Sequence, residues 1–332
     1  MRLLVLGGTA FVGRAIVAEG LARGWSVTTF NRGSVPAPPG VTALRGDRLA
    51  DGGPVALAAA GDTWDLVVDT WSHAPTAVRD AAALLAGRAR HYTYISSRSV
   101  YAWPMPAGLA EDGPVVDGSP DAGATEYARD KRGGELAAVA AFGEDRALLV
   151  RCGLILGPHE DVGRLPWWLA RIARGGPVLA PGPRGLPLQY IDVRDLAAWT
   201  LDAAGRGLAG PYDLVSPSGH TTMGELLDLC VRVTGSGAEL RWAAPEEVLA
   251  AGIEPWTELP VWMPPGEPHD AMYRSDVSRA VAAGLRCRPA AGTVADTWAW
   301  VKSSGTPIPA RPTRSPVGLP PGKEAALLTR LA

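Results

Sequence analysis

An apolar run followed at once by a glycine-rich turn opens the chain, and this feature constrains the fold more than any other. Residues 3–6 are apolar without alternation, which is typical of a strand buried on both faces in a parallel sheet. The turn at Gly7, Gly8 and Thr9 leads into a helical pattern that carries Phe11 and Val12. A strand, a tight turn and a helix N-terminus together present free backbone N–H groups to an anion.

This turn has the spacing of a dinucleotide-binding loop. Gly7 and Gly8 permit the tight turn, and Gly13 lets the helix lie close to the strand. Ala10 stands where the common pattern has glycine, and a plain tight turn is the alternative interpretation. We predict that the cofactor-binding loop consists of Gly7, Gly8, Thr9, Ala10, Phe11, Val12 and Gly13.

The ends of the next strands bear on which dinucleotide is bound. A second predicted strand, residues 25–30, ends at Asn31 and Arg32. An acidic residue at this place binds the free 2′-hydroxyl of NAD, whereas an arginine suits the 2′-phosphate of NADP. The sequence therefore favours NADP over NAD. Asp47, after the third strand, is placed to accept from the adenine amino group, and Thr70 follows the fourth strand on the ligand side of the sheet.

Strands and helices alternate through the first half of the chain. The patterns predict strands at 41–46, 65–69, 92–95 and 147–151, and helices at 74–85 and 125–142. Residues 50–61, rich in alanine and glycine, make a poor helix. Such alternation with right-handed crossovers is typical of an α/β fold with a doubly wound parallel Rossmann sheet.

Beyond residue 160 the composition changes, and segments rich in proline, glycine and tryptophan separate the predicted amphipathic helices. These helices are predicted near 164–174, 193–204, 222–234, 275–283 and 291–302. We predict an NADP-binding Rossmann domain from 1–160 and 189–217, and a smaller, interleaved C-terminal substrate domain from 161–188 and 218–302. Residues 303–332 are rich in proline and are predicted to form an arm over the body.

Composition argues against several classes of function. A net charge of −2 at pH 7, with no basic block, argues against nucleic acid as a partner. The opening apolar run is too short for a signal peptide and no run is long enough to span a membrane, so we expect a cytoplasmic protein. Cys152, Cys230 and Cys287 are far apart, so we expect neither disulfides nor a metal site.

Tyr127 and Lys131 lie four residues apart in the helix predicted at 125–142, which places them on one face. A lysine beside a phenol lowers the pKa of the phenol. The preceding strand ends in Ser96 and Ser97, and a hydroxyl there is placed to bind a substrate oxygen. Tyr-x-x-x-Lys occurs by chance in many helices, but after a strand-end serine pair the catalytic interpretation is favoured.

Five segments resemble the extended short-chain dehydrogenase/reductases, the group that includes NAD-dependent epimerases and dehydratases. They are the Gly-Gly-Thr-x-Phe-x-Gly opening, the Ser-Ser-x-x-Val-Tyr segment, Tyr127-x-x-x-Lys131, Leu-Gly-Pro at 156–158 and Gln-Tyr-Ile-Asp-Val-Arg-Asp-Leu-Ala at 189–197. The chain also looks like a branch of actinobacterial proteins with the same opening. That branch shares Val-Val-Asp-Thr at 67–70 and Trp-x-x-Leu-Pro at 256–260.

The resemblance implies a role for each member of a catalytic set. Ser97 would be the catalytic serine, Tyr127 the acid/base, and Lys131 the residue that binds the nicotinamide ribose and poises Tyr127. Hydride transfer to a carbonyl requires a proton donor at the oxygen and a rigidly held cofactor, which this set would provide. The family often dimerises through the helices near 75–87 and 125–141, which implies a possible homodimer.

Two places depart from the nucleotide-sugar enzymes of the family. Leu154 stands where an asparagine commonly contacts the substrate diphosphate, and residues 264–267 lack the arginine that usually completes the diphosphate clamp. A buried diphosphate without paired cations is costly, so the sequence disfavours a nucleotide-sugar substrate. An apolar or aromatic substrate is favoured instead, with core or lid packing as the alternative for each tryptophan. The residues predicted to contact that substrate are Trp71, Trp103, Leu154, Trp167 and Trp168.

Three functions are compatible with these features. The first is an NADP(H)-dependent oxidoreductase that acts on a small uncharged carbonyl or alcohol, in specialised metabolism. The second is an epimerase or dehydratase that retains its NAD(P) through each turnover. The third is a non-enzymatic relative that binds nucleotide or RNA, and the intact Ser97–Tyr127–Lys131 set counts against it.

Overall fold

A computed structural model describes residues 1–50, 55–304 and 317–332 of the chain. Its central sheet consists of seven strands, numbered in chain order: β1 (Arg2–Leu6), β2 (Ser26–Asn31), β3 (Val41–Arg45), β4 (Trp64–Asp69), β5 (Ala89–Ser97), β6 (Ala147–Cys152) and β11 (Gly210–Leu214). Across the sheet the order is β3-β2-β1-β4-β5-β6-β11, and every neighbouring pair is parallel. The predicted doubly wound parallel sheet is confirmed.

Helices cover both faces of this sheet, as its apolar strands require. Leu3, Leu4 and Val5 of β1 have no exposed surface. One face packs against α1 (Phe11–Ala22) and α6 (Val193–Gly205), and the other packs against α3 (Pro75–Leu85) and α4 (Tyr127–Phe142). Among the described residues between β3 and β4, the one helix is the short α2 (Val55–Ala59), in the region where the sequence predicts a poor helix.

The second lobe is built around a separate apolar core that contains the buried rings of Trp168, Trp262 and Tyr273. Its helices are α5 (Arg164–Ala173), α7 (Met223–Thr234), α8 (Pro245–Ala250), α9 (Glu267–Tyr273) and α11 (Ala290–Ser304). Its strands form two short pairs: β9 (Pro187–Leu188) with β12 (Thr221–Thr222), and β8 (Pro177–Pro181) with β13 (Glu239–Ala243). A third pair, β7 (Ile155–Leu156) with β10 (Ile191–Asp192), lies between the lobes, since Ile191 packs in the core of the central sheet and Leu156 in that of the second lobe. Helix α10 (Ser278–Ala282) packs instead against β11 of the central sheet.

The helix α12 (Pro321–Leu331) belongs to the second lobe. Leu327 is buried in the core of that lobe. Glu324 accepts from Arg171 of α5 at 2.7 Å, and Lys323 pairs with Glu258 at 2.8 Å. Residues 305–316 of the predicted arm lie outside the described residues.

The direction of winding reverses between β1 and β4, which are neighbours in the sheet. In open α/β sheets, ligands bind beyond the carboxyl ends of the strands at such a switch point. The residues predicted for cofactor binding and catalysis therefore converge on one edge. Within the described ranges, no helix combines the length and apolar composition that a membrane span requires.

Candidate active site

The glycine turn adopts a conformation that side chains would obstruct. Gly7 and Gly8 have φ angles of 119° and 95°, which L-residues with side chains rarely adopt. A Cβ on Gly7 would collide with Thr70, and a Cβ on Gly13 would lie 2.6 Å from the Gly8 backbone nitrogen. The absence of side chains at these positions therefore lets the turn, the end of β4 and the start of α1 approach one another closely, as in a dinucleotide-binding loop. Thr9, Ala10, Phe11 and Val12 complete the turn and the first residues of the helix.

The end of β2 is tied to the glycine turn by Asn31. Its Nδ2 donates to the Gly7 carbonyl at 3.1 Å, and its Oδ1 accepts from the Gly33 backbone N–H at 2.8 Å. Arg32 projects to the surface beside this turn. Arg45, which is aligned with Asn31 in the β2–β3 pairing, lays its side chain along Gly33. Among the described residues, neither Arg32 nor Arg45 pairs with a carboxylate.

The residues after β3 and β4 have distinct local roles. Asp47 is exposed, and its Oδ1 accepts from the Leu49 backbone N–H at 3.0 Å. Thr70 donates from its hydroxyl to the Leu6 carbonyl at 2.9 Å, which fixes the end of β4 against β1. Both residues lie at the carboxyl edge of the sheet, where the sequence places them.

Tyr127 and Lys131 occupy the first turn and a half of α4 and differ sharply in exposure. The Tyr127 side chain is 44% exposed, whereas Lys131 is 3% exposed. The Lys131 ammonium donates to the carbonyls of Trp71 and Ile95, both at 2.6 Å. These carbonyls belong to the β4 end and to β5, so α4 is docked on the strand ends by its lysine.

Ser97 is the last residue of β5, at the same edge. Its hydroxyl accepts from the Ser99 backbone N–H at 3.1 Å and so caps a short 3₁₀ turn. Ser96 points differently, because its hydroxyl donates to the buried Glu135 of α4 at 2.7 Å. Alternation along the strand therefore directs the two hydroxyls to different surroundings, and Ser97 is 9% exposed whereas Ser96 is 2% exposed.

A buried network of charged and polar side chains lies at the same end of strands β5, β6 and β11. Arg151 of β6 forms a two-pronged pair with Glu135 at 2.9 and 3.0 Å. The hydroxyl of Tyr101 donates to Asp213 of β11 at 2.7 Å, and Arg98 lies 3.2 Å from the same carboxyl group. Burial raises the pKa of Asp213 to about 6, although the nearby arginine lowers it.

The tryptophans predicted to contact substrate have different environments. Trp103 is 60% exposed in the loop after β5. Trp71 is partly buried, and its indole N–H donates to the Ala74 carbonyl at 3.0 Å. The prediction for Trp168 is wrong, because this side chain has no exposed surface and its indole N–H donates to the Pro260 carbonyl at 2.7 Å.

Two further predicted contacts have mixed environments. Trp167 packs edge-on against Trp168, with ring centroids 4.7 Å apart, and lies next to Gly318. Leu154 follows the end of β6 and is 7% exposed, at the margin of the second lobe's core. Trp71, Trp103, Trp167 and Leu154 as substrate contacts stay predictions.

Two features of this edge were missed in the sequence: the side chain of Arg45 beside Arg32, and a buried ion pair between Arg48 and Asp69. A carboxylate that ends an apolar strand requires a buried cation, which was the available signal for Asp69. The Gly-Asp-Arg sequence after β3 offered that cation. The position of Arg45 depends on the strand register and had no equivalent signal.

The fold and this edge define a Rossmann-type dinucleotide-binding protein with a tyrosine–lysine pair on the helix after β5. A model of the NAD dependent epimerase/dehydratase family matches residues 3–211. The chain belongs to that family. Among curated proteins, none matches the chain.

Solved structures of similar fold cover almost the whole chain. The Bordetella bronchiseptica enzyme WbmH in complex with NAD+ is 18% identical, with a TM-score of 0.65, and the match covers 92% of this chain and 99% of that one. The UDP-glucose 4-epimerase of Thermus thermophilus in complex with NAD is 21% identical, with a TM-score of 0.61 and coverage of 92% and 100%. The UDP-glucuronic acid 4-epimerase from Bacillus cereus in complex with NAD is 14% identical, with the same TM-score of 0.61 and the same coverage of 92% and 100%. At these identities the likeness concerns the fold alone.

Proposed function

We propose that the chain is an NADP(H)-dependent oxidoreductase that transfers a hydride to or from a small carbonyl or alcohol. The observation that carries the proposal is the contrast between Tyr127 and Lys131. The tyrosine is accessible to a ligand, while the lysine one turn further on is buried and fixed by two strand-end carbonyls. This is the arrangement expected of a proton donor and of the residue that orients it.

The residues at this edge divide the chemistry. The nicotinamide supplies or accepts the hydride when the cofactor is bound. Tyr127 delivers the proton to the carbonyl oxygen, and the Ser97 hydroxyl donates a hydrogen bond to that same oxygen. Lys131 holds the nicotinamide ribose and poises Tyr127. The cradle at Gly7, where a Cβ would collide with Thr70, fits the close approach of a diphosphate.

The preference for NADP rests on the end of β2. Asn31 replaces the acidic residue that binds a free 2′-hydroxyl, and both of its polar atoms are already engaged with backbone groups. Arg32 supplies the cation that suits a 2′-phosphate. Arg45 lies along the same turn and adds a second positive charge.

The proposed substrate is small and uncharged. Leu154 supports this, since it places an apolar side chain two residues after the end of β6. A charged diphosphate in such surroundings would lose hydration without gaining a paired cation.

An epimerase or dehydratase with a retained NAD(P) is the second candidate. The family match and the epimerase neighbours favour it. Its hydride leaves and returns within one turnover, so it consumes no cofactor.

Cofactor turnover over a panel of small aldehydes, ketones and alcohols tests the proposal. We expect NADPH absorbance at 340 nm to fall stoichiometrically with product, whereas an epimerase would form product with constant absorbance. Tyr127→Phe should lower the turnover number by about 10²–10⁴-fold, because it removes the proton donor. Tyr212→Phe on β11 is the matched control and should keep full activity. Full activity in Tyr127→Phe would refute the assigned acid.

A further inference from the structure

A buried polar cluster at the carboxyl edge of the sheet takes no part in the chemistry proposed above. Arg48 and Asp69 form a two-pronged ion pair at 2.7 and 2.8 Å, with both side chains almost completely buried. The hydroxyl of Tyr92 donates to the second carboxylate oxygen at 2.6 Å. Burial alone would raise the pKa of Asp69, but Arg48 and these hydrogen bonds lower it below its usual value. Asp69 is therefore a carboxylate and can only accept hydrogen bonds.

The first carboxylate oxygen fixes the residue that follows β4. Asp69 Oδ1 accepts from the Trp71 backbone N–H at 2.9 Å. The indole ring of Trp71 lies over the Arg48 guanidinium, 5.0 Å from its centroid, and its N–H donates to Ala74. Trp71 is thus held at its backbone and at its ring by the same ion pair.

The backbone carbonyl of Trp71 binds the side chain of Lys131. Trp71 O accepts from Lys131 Nζ at 2.6 Å and from the Tyr94 hydroxyl at 3.1 Å. The Tyr94 ring also lies 4.8 Å from the Lys131 nitrogen. An unbroken series of hydrogen bonds and packed groups therefore runs from Arg48 through Asp69 and Trp71 to Lys131.

We propose that the Arg48–Asp69 pair is a positioning device for Lys131, acting through the backbone of Trp71. The inference rests on the proposed function, in which Lys131 holds the nicotinamide ribose. Asp69 fixes the peptide N–H of Trp71 and Arg48 packs on its ring, and together these contacts restrict the direction of the Trp71 carbonyl. That carbonyl in turn accepts from the Lys131 ammonium group and sets its position. Arg48 keeps Asp69 ionised and in place, so both are positioning residues and neither contacts the substrate.

The Arg48–Asp69 pair orients its neighbours and contributes little to the stability of the fold. Replacing a buried ion pair by apolar residues of similar volume is often neutral or stabilising, so such a pair contributes little as mere filling. The Asp69 carboxylate instead holds its neighbours in fixed positions by hydrogen bonds. Its Oδ1 accepts from the Trp71 backbone N–H, and its Oδ2 accepts from the Tyr92 hydroxyl.

The chain contains three lysines, so the position of Lys131 can be measured without a substrate. They are Lys131, Lys302 and Lys323. Competitive labelling with acetic anhydride, followed by mass spectrometry of the lysine peptides, gives the reactivity of Lys131 against the other two as internal references. NADPH affinity is measured on the same samples by fluorescence titration.

Asp69→Asn is the test variant, and Tyr92→Phe is its matched control because it removes one hydrogen bond to the same carboxylate and leaves the charge of Asp69 unchanged. In Asp69→Asn we expect Lys131 labelling to rise and NADPH affinity to fall, each about tenfold, the effect of one charge-assisted hydrogen bond. Tyr92→Phe should leave both within a few-fold of wild type. Equal changes in the two variants would show that the cluster is merely structural, and wild-type values in Asp69→Asn would equally overturn the inference.

Removing the cluster as a whole covers the case in which Asp69→Asn fails to fold. Arg48→Met/Asp69→Leu/Tyr92→Phe leaves no unpaired buried charge and should fold. It should show the same increase in Lys131 labelling, and wild-type labelling in the folded triple variant would refute the inference. Failure of the proposed function looks different: neither NADPH nor NADH would then protect Lys131 of the wild-type protein from labelling.

Discussion

Glu160 is a buried carboxyl group at the N-terminus of α5, and its titration should be visible in the stability of the protein. Its two oxygens accept from the backbone N–H groups of Arg164 and Leu165, at 2.7 and 3.2 Å. Burial raises the pKa of Glu160 to about 7, and it outweighs the Arg164 charge and the two hydrogen bonds, which lower the pKa.

The sign of the effect follows from proton binding. The reference pKa of the glutamate is 4.5, so between this value and about 7 the folded state binds more protons than the unfolded state. The stability that this group contributes is present in full below pH 4.5 and is lost as the pH rises through about 7. The gap between the two pKa values corresponds to about 3 kcal/mol.

Urea unfolding of wild type and Glu160→Gln across this pH range measures the effect. Glutamine keeps the shape of the side chain and does not titrate. The free energy of unfolding of wild type, minus that of the variant, should fall by about 3 kcal/mol from acidic to neutral pH. Glu246→Gln, at an exposed carboxylate of α8, is the control and should give a nearly constant difference. A difference for Glu160→Gln that is the same at pH 5 and pH 8 would refute the reasoning.

Three further substitutions test other parts of the molecule. Arg32→Ala should raise the dissociation constant of NADPH tenfold or more, on the order of 1.5–3 kcal/mol, and leave that of NADH unchanged. Equal binding of both cofactors by wild type would contradict the assignment of Arg32 to the 2′-phosphate. Leu154→Asn should produce no heat with UDP- or TDP-sugars in isothermal titration, and micromolar binding by wild type would favour the epimerase candidate instead. Trp168→Ala should destabilise the protein by about 3–5 kcal/mol in thermal or urea unfolding, since it empties a core site. A loss below about 1 kcal/mol would place this ring outside the core.

Periodicity and turn chemistry were sufficient to predict six of the seven strands of the sheet and the helices that flank it, but not the edge strand β11. The buried strand before Gly7 and the four-residue spacing of Tyr127 and Lys131 are local patterns, and local patterns are readable in a sequence. The burial of Trp168 was predictable from the sequence but was not predicted. It recurs with Leu165 and Ile172 at helical spacing, so the apolar face of α5 already assigned it to the core.

Contacts between distant segments were not readable in this way. Arg45 reaches Gly33 only because β2 and β3 pair in a particular register. Lys131 donates its hydrogen bonds to backbone carbonyls, which every residue possesses. No side-chain pattern therefore marks Trp71 or Ile95 as its partners.

The docking of α12 on the second lobe has a consequence for biosynthesis. Every strand of the central sheet has been made once Leu214 has been added to the growing chain. The core of the second lobe includes Leu327, and Arg171 has its partner in Glu324, so that lobe is complete only after α12 emerges. At about 5–20 residues per second, the ribosome takes roughly 5–20 s to cover this interval. During that time the strands of the central sheet can pair, while the surfaces of α5 and β8 that α12 later covers stay exposed.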